Sequence, residues 1–226
     1  MYDPIHKRKG RGVSDWAILS ALGDDEARGV LTSARRRRFK RGEVVFHRDD
    51  PADTLHLVSS GCLAVRVITP LGSVATLQLV GPGECFGELA LLGGTQVRSA
   101  KVEAISASET YALSRTDLDR LRAQHREIDV FLVELLGQRV AELTERLVEA
   151  LYTPAPRRVR LMLDGLAERY REPSGRATIP LTQDDLAGLA GTSRLTVNRV
   201  LHELQRAGQV EIGRGRVTVL AAGAGP

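Results

Sequence analysis

A carboxylate and a guanidinium stand ten residues apart in one glycine-rich stretch, Phe86-Gly87-Glu88-Leu89-Ala90-Leu91-Leu92-Gly93-Gly94-Thr95-Gln96-Val97-Arg98-Ser99-Ala100. An Arg side chain, a Ser hydroxyl and exposed backbone N–H groups suit a phosphate. A carboxylate such as Glu88 suits a ribose hydroxyl. Glu88 and Arg98 could therefore grip different ends of one small ligand, or form a salt bridge that holds a bend. The spacing allows both. A second set of polar residues lies near the C-terminus, where Arg194, Leu195, Asn198, Arg199 and His202 fall on one face of a helical pattern. Arg can make two hydrogen bonds to guanine, and Asn can do so to adenine.

The elements around these residues follow from periodicity. Between Phe39 and Leu113, short β-rich runs alternate with Gly, Pro and Asp punctuation: Glu43–His47, Thr54–Ser59, Cys62–Ile68, Val74–Leu79, Val97–Ile105 and Glu109–Leu113. Strands this short and regular imply a β-sandwich or β-roll. A helical pattern starts near Asp15 and returns from Asp24 to about Ser33. Helices are also expected over Thr116–Gln124 and Ile128–Leu151. In the latter, Leu132, Leu136, Val140, Leu143, Leu147 and Leu151 form one apolar stripe. Such a stripe makes a dimer seam or packs on the chain's own sheet. The prolines at 154 and 156 end the helix. A helix (Arg157–Tyr170), a polar loop (Arg171–Ala177), a helix pair and two strands (Gln209–Ile212, Arg216–Leu220) follow.

In the helix pair, Thr182 caps the first helix and Ser193 the second. Ala187, Gly191 four later and Val197 six later have the spacing of a helix-turn-helix: close packing, sharp turn, locked second helix. The closing hairpin, with Arg214 and Arg216, fits a wing that touches phosphates.

The 226 residues carry a net charge of +4, distributed as +6 over residues 1–41, −6 over 42–154 and +4 over 155–226. An acidic middle between basic ends suggests modules with separate partners. Two cysteines are too few for an iron–sulfur cluster or a Cys-only zinc site. Cys85, His47 and His56 fit no haem-ligand pattern, so no metal ligands are expected. No apolar run approaches the ~20 residues that span a bilayer, and the N-terminus lacks a signal-peptide core. A cytoplasmic protein without a membrane partner is expected. The run Arg35–Arg41, six of seven basic, is expected to be a solvated face.

The glycine-rich cassette, the long helix and the helix-turn-helix, in that order, resemble the bacterial cyclic-AMP receptor protein family, the CRP/FNR transcription regulators, from about residue 20 to 220. The resemblance implies an α+β chain: an N-terminal β-roll of the cyclic-nucleotide-binding kind, a long dimerisation helix and a C-terminal winged helix-turn-helix. The expected boundaries are 1–14 for a basic flexible tail, 15–127 for the roll, 128–153 for the long helix and 154–226 for the DNA-binding domain. By the same implication Glu88 holds a ribose hydroxyl, Arg98 and Ser99 hold the cyclic phosphate, and Gly87, Leu89 and Ala100 complete the cassette. Arg139 approaches the ribose–phosphate end from the long helix, and Thr144 reaches a base across a dimer.

The family pattern places a Thr-Ser pair where this chain has Leu143-Thr144. Leu143 can neither donate nor accept, so the phosphate and ribose grip persists while base preference is open. Cyclic AMP is the first effector expected and cyclic GMP the second. The alternative is a regulator that is nucleotide-independent or uses another small effector. Thr182, Ser193, Arg194, Leu195, Asn198, Arg199, Arg214 and Arg216 are the expected DNA contacts. Where the family pattern has Glu in the recognition helix, Leu195 stands. The implied partners are double-stranded DNA, a second copy of the chain and, as a candidate, RNA polymerase. No catalytic constellation is present: Glu88 has no His or second acid at a matching position.

Overall fold

A computed structural model describes residues 16–20, 22–70, 72–92 and 96–220. The expected tail, Asp15 and the Gly93-Gly94 connection lie outside the described residues. Two compact units result, one extending through residue 67 and over 77–143, the other containing 144 onward together with 68–76.

The first unit begins with a short 3₁₀ turn, Ala17–Leu19, and α1 (Asp24–Ser33). Eight strands follow: β1 (Arg35–Phe39), β2 (Val44–Phe46), β3 (Thr54–Ser60), β4 (Leu63–Ile68), β5 (Val74–Val80), β6 (Cys85–Phe86), β7 (Lys101–Ala104) and β8 (Ser108–Ser114). The short helix α2 (Glu88–Leu92) interrupts them. The strands make two four-stranded sheets, ordered β1-β8-β3-β6 and β2-β7-β4-β5. Phe39, Val58, Leu63, Val80, Phe86, Val102 and Ala104, drawn from both sheets, form the core between them. Leu55, Leu57 and Leu113 lie in a second core with Trp16, Leu19, Leu118, Ile128 and Leu132. β3 is therefore covered on both faces, which is why Leu55, His56, Leu57 and Val58 are all buried. Each such leucine contributes about 2 kcal/mol by its burial.

Three strands of this unit differ from the sequence reading: the two-residue β6 falls in none of the expected runs, and β1 and β7 depart from it. The arginine run is exposed, as a solvated face would be, but Arg35–Phe39 is also a strand, β1, paired antiparallel with β8 and lying at a sheet edge. Arg36 and Arg38 both bond Glu109 of β8, while Arg37 stacks over Phe39 at 5.5 Å. Alternation with a period of two, masked by four identical residues, explains the strand. The run expected over Val97–Ile105 shortens to β7, because Val97 makes only an isolated bridge to Pro51.

After α3 (Arg115–Gln124), the helix α4 runs Arg126–Tyr152. Leu132 is not part of an outward stripe, being 2% exposed in the unit's own core. Val140, Leu143, Leu147 and Leu151 of that stripe are exposed, together with Val130, Val133, Val148 and Tyr152.

The second unit holds α5 (Ala155–Arg169), β9 (Ala177–Ile179), α6 (Gln183–Ala190), α7 (Arg194–Arg206), β10 (Val210–Gly213) and β11 (Arg216–Val219). β9 occupies the end of what reads as a polar loop. Its buried Ala177 and Ile179 pair with Val219 and Val217, and three residues are too few to show alternation. Val159, Leu163, Leu186, Val197, Val200 and Leu201 fill the core among the helices.

Candidate functional site

The cradle begins at Gly87, whose φ of +92° suits glycine; a Cβ there would lie 2.7 Å from Arg98 Nη1 and 3.0 Å from the Thr54 carbonyl oxygen. Glu88 follows at the start of α2 and is 1% exposed. Its Oε1 lies 2.9 Å from Arg139 Nη1. Arg139 Nη2 donates to the Cys85 carbonyl at 2.9 Å, so one guanidinium from α4 reaches both the acid and the strand before it. Arg98 is 3% exposed. It donates to the Thr54 carbonyl at 2.9 Å, the Thr54 hydroxyl at 2.7 Å and the Gly87 carbonyl at 3.3 Å. Its guanidinium lies 4.1 Å from the centre of the Phe46 ring. Of the two readings open for Glu88 and Arg98, the bend-holding salt bridge is not what forms: Glu88 pairs with Arg139.

Glu88, Arg98, Ser99 and Arg139 line one cleft with Gly87, Leu89, Ala100 and the apolar Phe46, Val65 and Val102. The cleft encloses only about 40 Å³, well below the ~300–1,000 Å³ of typical small-molecule sites. Buried Glu88 Oε2, Arg98 Nε and Arg139 Nε have no hydrogen-bond partner. Orphaned buried polar atoms are costly, and a ligand offering both hydroxyls and an anion would satisfy them. Burial pushes Glu88 above the ordinary carboxylate range, against the pull of Arg139 and Arg98. Burial also lowers Arg98 from the usual arginine value, with Asp53 and Asp50 opposing. Cys85, buried, is pushed up to about 12, so its thiol is inert. Thr144 is exposed on α4 and does not line this cleft.

His56 is packed flat on Phe86 at 4.8 Å and lies within hydrogen-bond distance of the Thr54 and Thr110 hydroxyls. Burial, then the charges of Arg98 and Arg37, lowers its pKa to about 3. The folded value lies below the unfolded one. The stability His56 supports is therefore full above pH 6.5 and is lost as pH falls toward about 3. Urea unfolding of wild type from pH 7 to 4 should show falling stability, and His56→Gln should flatten that limb. An equal slope in both proteins would contradict this account.

In the second unit, Thr182 and Asp185 form a reciprocal capping box on α6. Gly191 ends α6 with φ +58°, and Ser193 caps α7 through the Thr196 N–H. The hydroxyls of Thr182 and Ser193 are thus engaged in caps. α7 buries Val197, Val200, Leu201 and Leu204 and leaves Arg194, Leu195 and Arg199 exposed. Leu195 is 80% exposed. Arg194 bonds Asp184 at 3.2 Å, and Asn198 donates to Gln183 at 3.2 Å. Arg214 and Arg216 are exposed at the β10–β11 hairpin. The sequence reading missed Arg158, which donates to the carbonyls of Ala190, Gly191 and Thr153 and so fixes the turn between α6 and α7. It also missed Phe46, Thr54 and Gln183, since none has a local signature. Among the described residues no group of three metal-binding side chains occurs, and no helix is long and apolar enough to cross a membrane.

Residues 36–125 match the cyclic nucleotide-binding domain family, and residues 145–224 match the Crp-like helix-turn-helix domain family. The chain is 34% identical to the cyclic AMP receptor protein of Thermus thermophilus, over 91% of this chain and 93% of that one. It is 30% identical to a CRP-like cAMP-activated global transcriptional regulator of Mycobacterium tuberculosis, over 77% of this chain and 79% of that one. Among solved structures, the c-di-GMP responsive global regulator CLP of Xanthomonas campestris superposes with a TM-score of 0.73 at 26% identity, covering 85% of this chain and 96% of that one.

Proposed function

Because the chain belongs to the CRP/FNR family of ligand-controlled, DNA-binding transcription regulators, we propose that its effector is cyclic AMP, bound by the cleft of the first unit, and that it works in the cytoplasm as a homodimer on a palindromic operator. The observation that carries this reading is the set of buried Glu88 and Arg98 with half-buried Arg139, each with a buried atom lacking a partner. Glu88 accepts from the ribose hydroxyl, Arg98 and the exposed Ser99 hold the cyclic phosphate, and Phe46, Val65 and Leu89 cover the apolar side of the ligand. Arg139 leaves part of its bond to Glu88 for the ribose–phosphate end. Since it stands on α4, ligand occupancy is felt by the long helix. A family-wide role of this kind amounts to a population shift between helix arrangements.

On the DNA side, α7 enters the major groove, with its N-terminal residues at base edges, and two copies place their helices about 34 Å apart. Arg194 and Arg199 read guanines, Asn198 an adenine, and Arg214 and Arg216 meet phosphates. Thr182 and Ser193 present the N-termini of α6 and α7 to the backbone. Leu195, exposed and apolar, touches a thymine methyl or no base. Selection of half-sites from a random duplex library should therefore retain guanines and show thymine or no preference at the Leu195 position. Strong selection of cytosine there would contradict the assignment.

A second reading concerns the nucleotide. Leu143 offers no hydrogen bond on α4 beside Thr144, and a structural relative responds to c-di-GMP, so cyclic GMP and a cyclic dinucleotide are the competing effectors. Calorimetry of the full chain with cyclic AMP, cyclic GMP and c-di-GMP separates them. Operator titration with and without the bound nucleotide then tests control, and a steep negative salt slope is expected. Failure of cyclic AMP to bind overturns the effector assignment. Operator affinity that ignores the nucleotide overturns the regulatory one.

A further inference from the structure

Arg115, the first residue of α3, does not line the cleft, yet it holds both halves of the ligand grip. Its Nη1 donates to the Leu91 carbonyl at 3.1 Å, and its Nη2 donates to the carbonyls of Ala90 at 3.1 Å and Ala52 at 3.3 Å. Its backbone N–H donates to the Asp53 carbonyl at 2.8 Å. Ala90 and Leu91 belong to α2, the helix that opens with Glu88. Ala52 and Asp53 lead directly into Thr54, whose carbonyl and hydroxyl hold Arg98. The Ala52 N–H also donates to the Gln96 carbonyl, two residues before Arg98.

A five-residue helix has too few internal bonds to hold itself in water, and its last carbonyls lack intrahelical partners. The Arg115 guanidinium supplies those partners and sets a cation at the negative helix end. Its charge also reaches Arg98, so it adds positive potential at the phosphate end of the cleft. Only a planar fork spans three carbonyls; a lysine ammonium is a single point on a flexible stem.

We propose that Arg115 is a positioning residue for the effector, fixing Glu88 and Arg98 at the separation that one ribose–phosphate unit requires. The assignment rests on the cyclic-nucleotide reading of the cleft. Two measurements on the full chain test it. The first needs no ligand: hydrogen exchange of peptides covering 86–92 and 50–56 in wild type, Arg115→Lys and Arg115→Met. Exchange in both segments should rise together by about tenfold in the Met variant, and less in the Lys variant, as a lost set of charged hydrogen bonds implies. Unchanged exchange, or a rise confined to α3, overturns the proposal.

The second is calorimetric titration with cyclic AMP. Affinity should fall about 30-fold in Arg115→Met and about fivefold in Arg115→Lys. In an Arg98→Gln background the further loss should shrink below about threefold, because both changes act through one grip. A purely structural role predicts lower melting temperatures with unchanged affinity, or additive losses, and either result overturns the proposal. If wild type binds no cyclic AMP, the effector reading falls, and the exchange comparison still decides the role of Arg115.

Discussion

Arg98→Gln should lower cyclic-nucleotide affinity by about 100-fold while leaving the fold intact. Arg98 is buried, and its Nε lacks a partner within the chain. A charge-assisted bond from a guanidinium to a phosphate is worth about 1.5–3 kcal/mol, and each 1.4 kcal/mol is about tenfold in affinity. Glutamine keeps much of the side-chain volume and can still donate to Thr54, which limits the cost of the change to the roll itself. Calorimetry with the bound nucleotide measures the loss, and a melting curve of the empty variant controls for folding. A loss under about fivefold would mean that the phosphate is held elsewhere, with Arg139 the next cation in the cleft.

The second large effect is expected at the long helix. Val133, Val140, Leu143, Leu147 and Leu151 are between 52% and 70% exposed on α4, and they recur at heptad spacing. Leu147→Asp removes about 2 kcal/mol of apolar burial from each of two facing copies and sets like charges near each other. The dimer dissociation constant should rise by at least about 1000-fold, read by sedimentation velocity across a concentration series. Operator affinity should collapse in step, because a single recognition helix meets only one half-site. A Leu147→Asp protein that remains dimeric would show that this stripe is not the seam.

Much of this was legible in the chain itself. The helices α4 and α7 have strong periods, and Gly191 and Ser193 mark the turn between α6 and α7 at the level of single residues. Glu88 and Arg98 are findable because the cassette is local, all within fifteen residues. What spacing could not give was who holds them. Glu88 is met by Arg139 and Arg98 by Thr54, partners brought in by sheet and helix packing from distant parts of the chain. The stripe on α4 was misread at its start for a related reason. Leu132 belongs to the same period as the exposed leucines, yet the first turns of that helix lie over the roll, and burial there is decided by neighbours that periodicity does not see. β1 was missed because four consecutive arginines carry no hydropathy contrast, although their side chains divide between Glu109 on one side and the Phe39 side on the other.

That edge strand has a consequence for how copies of the chain meet. An unpaired strand edge is a template on which a second edge can zip, and chains that leave one bare polymerise. Here the edge of the β1-β8-β3-β6 sheet is a row of four arginines, Arg35–Arg38, of which Arg36 and Arg38 share the one carboxylate of Glu109. Two such edges brought together would confront guanidinium with guanidinium along their whole length. A row of like charges at this edge opposes runaway sheet extension, which leaves self-association to other surfaces of the chain.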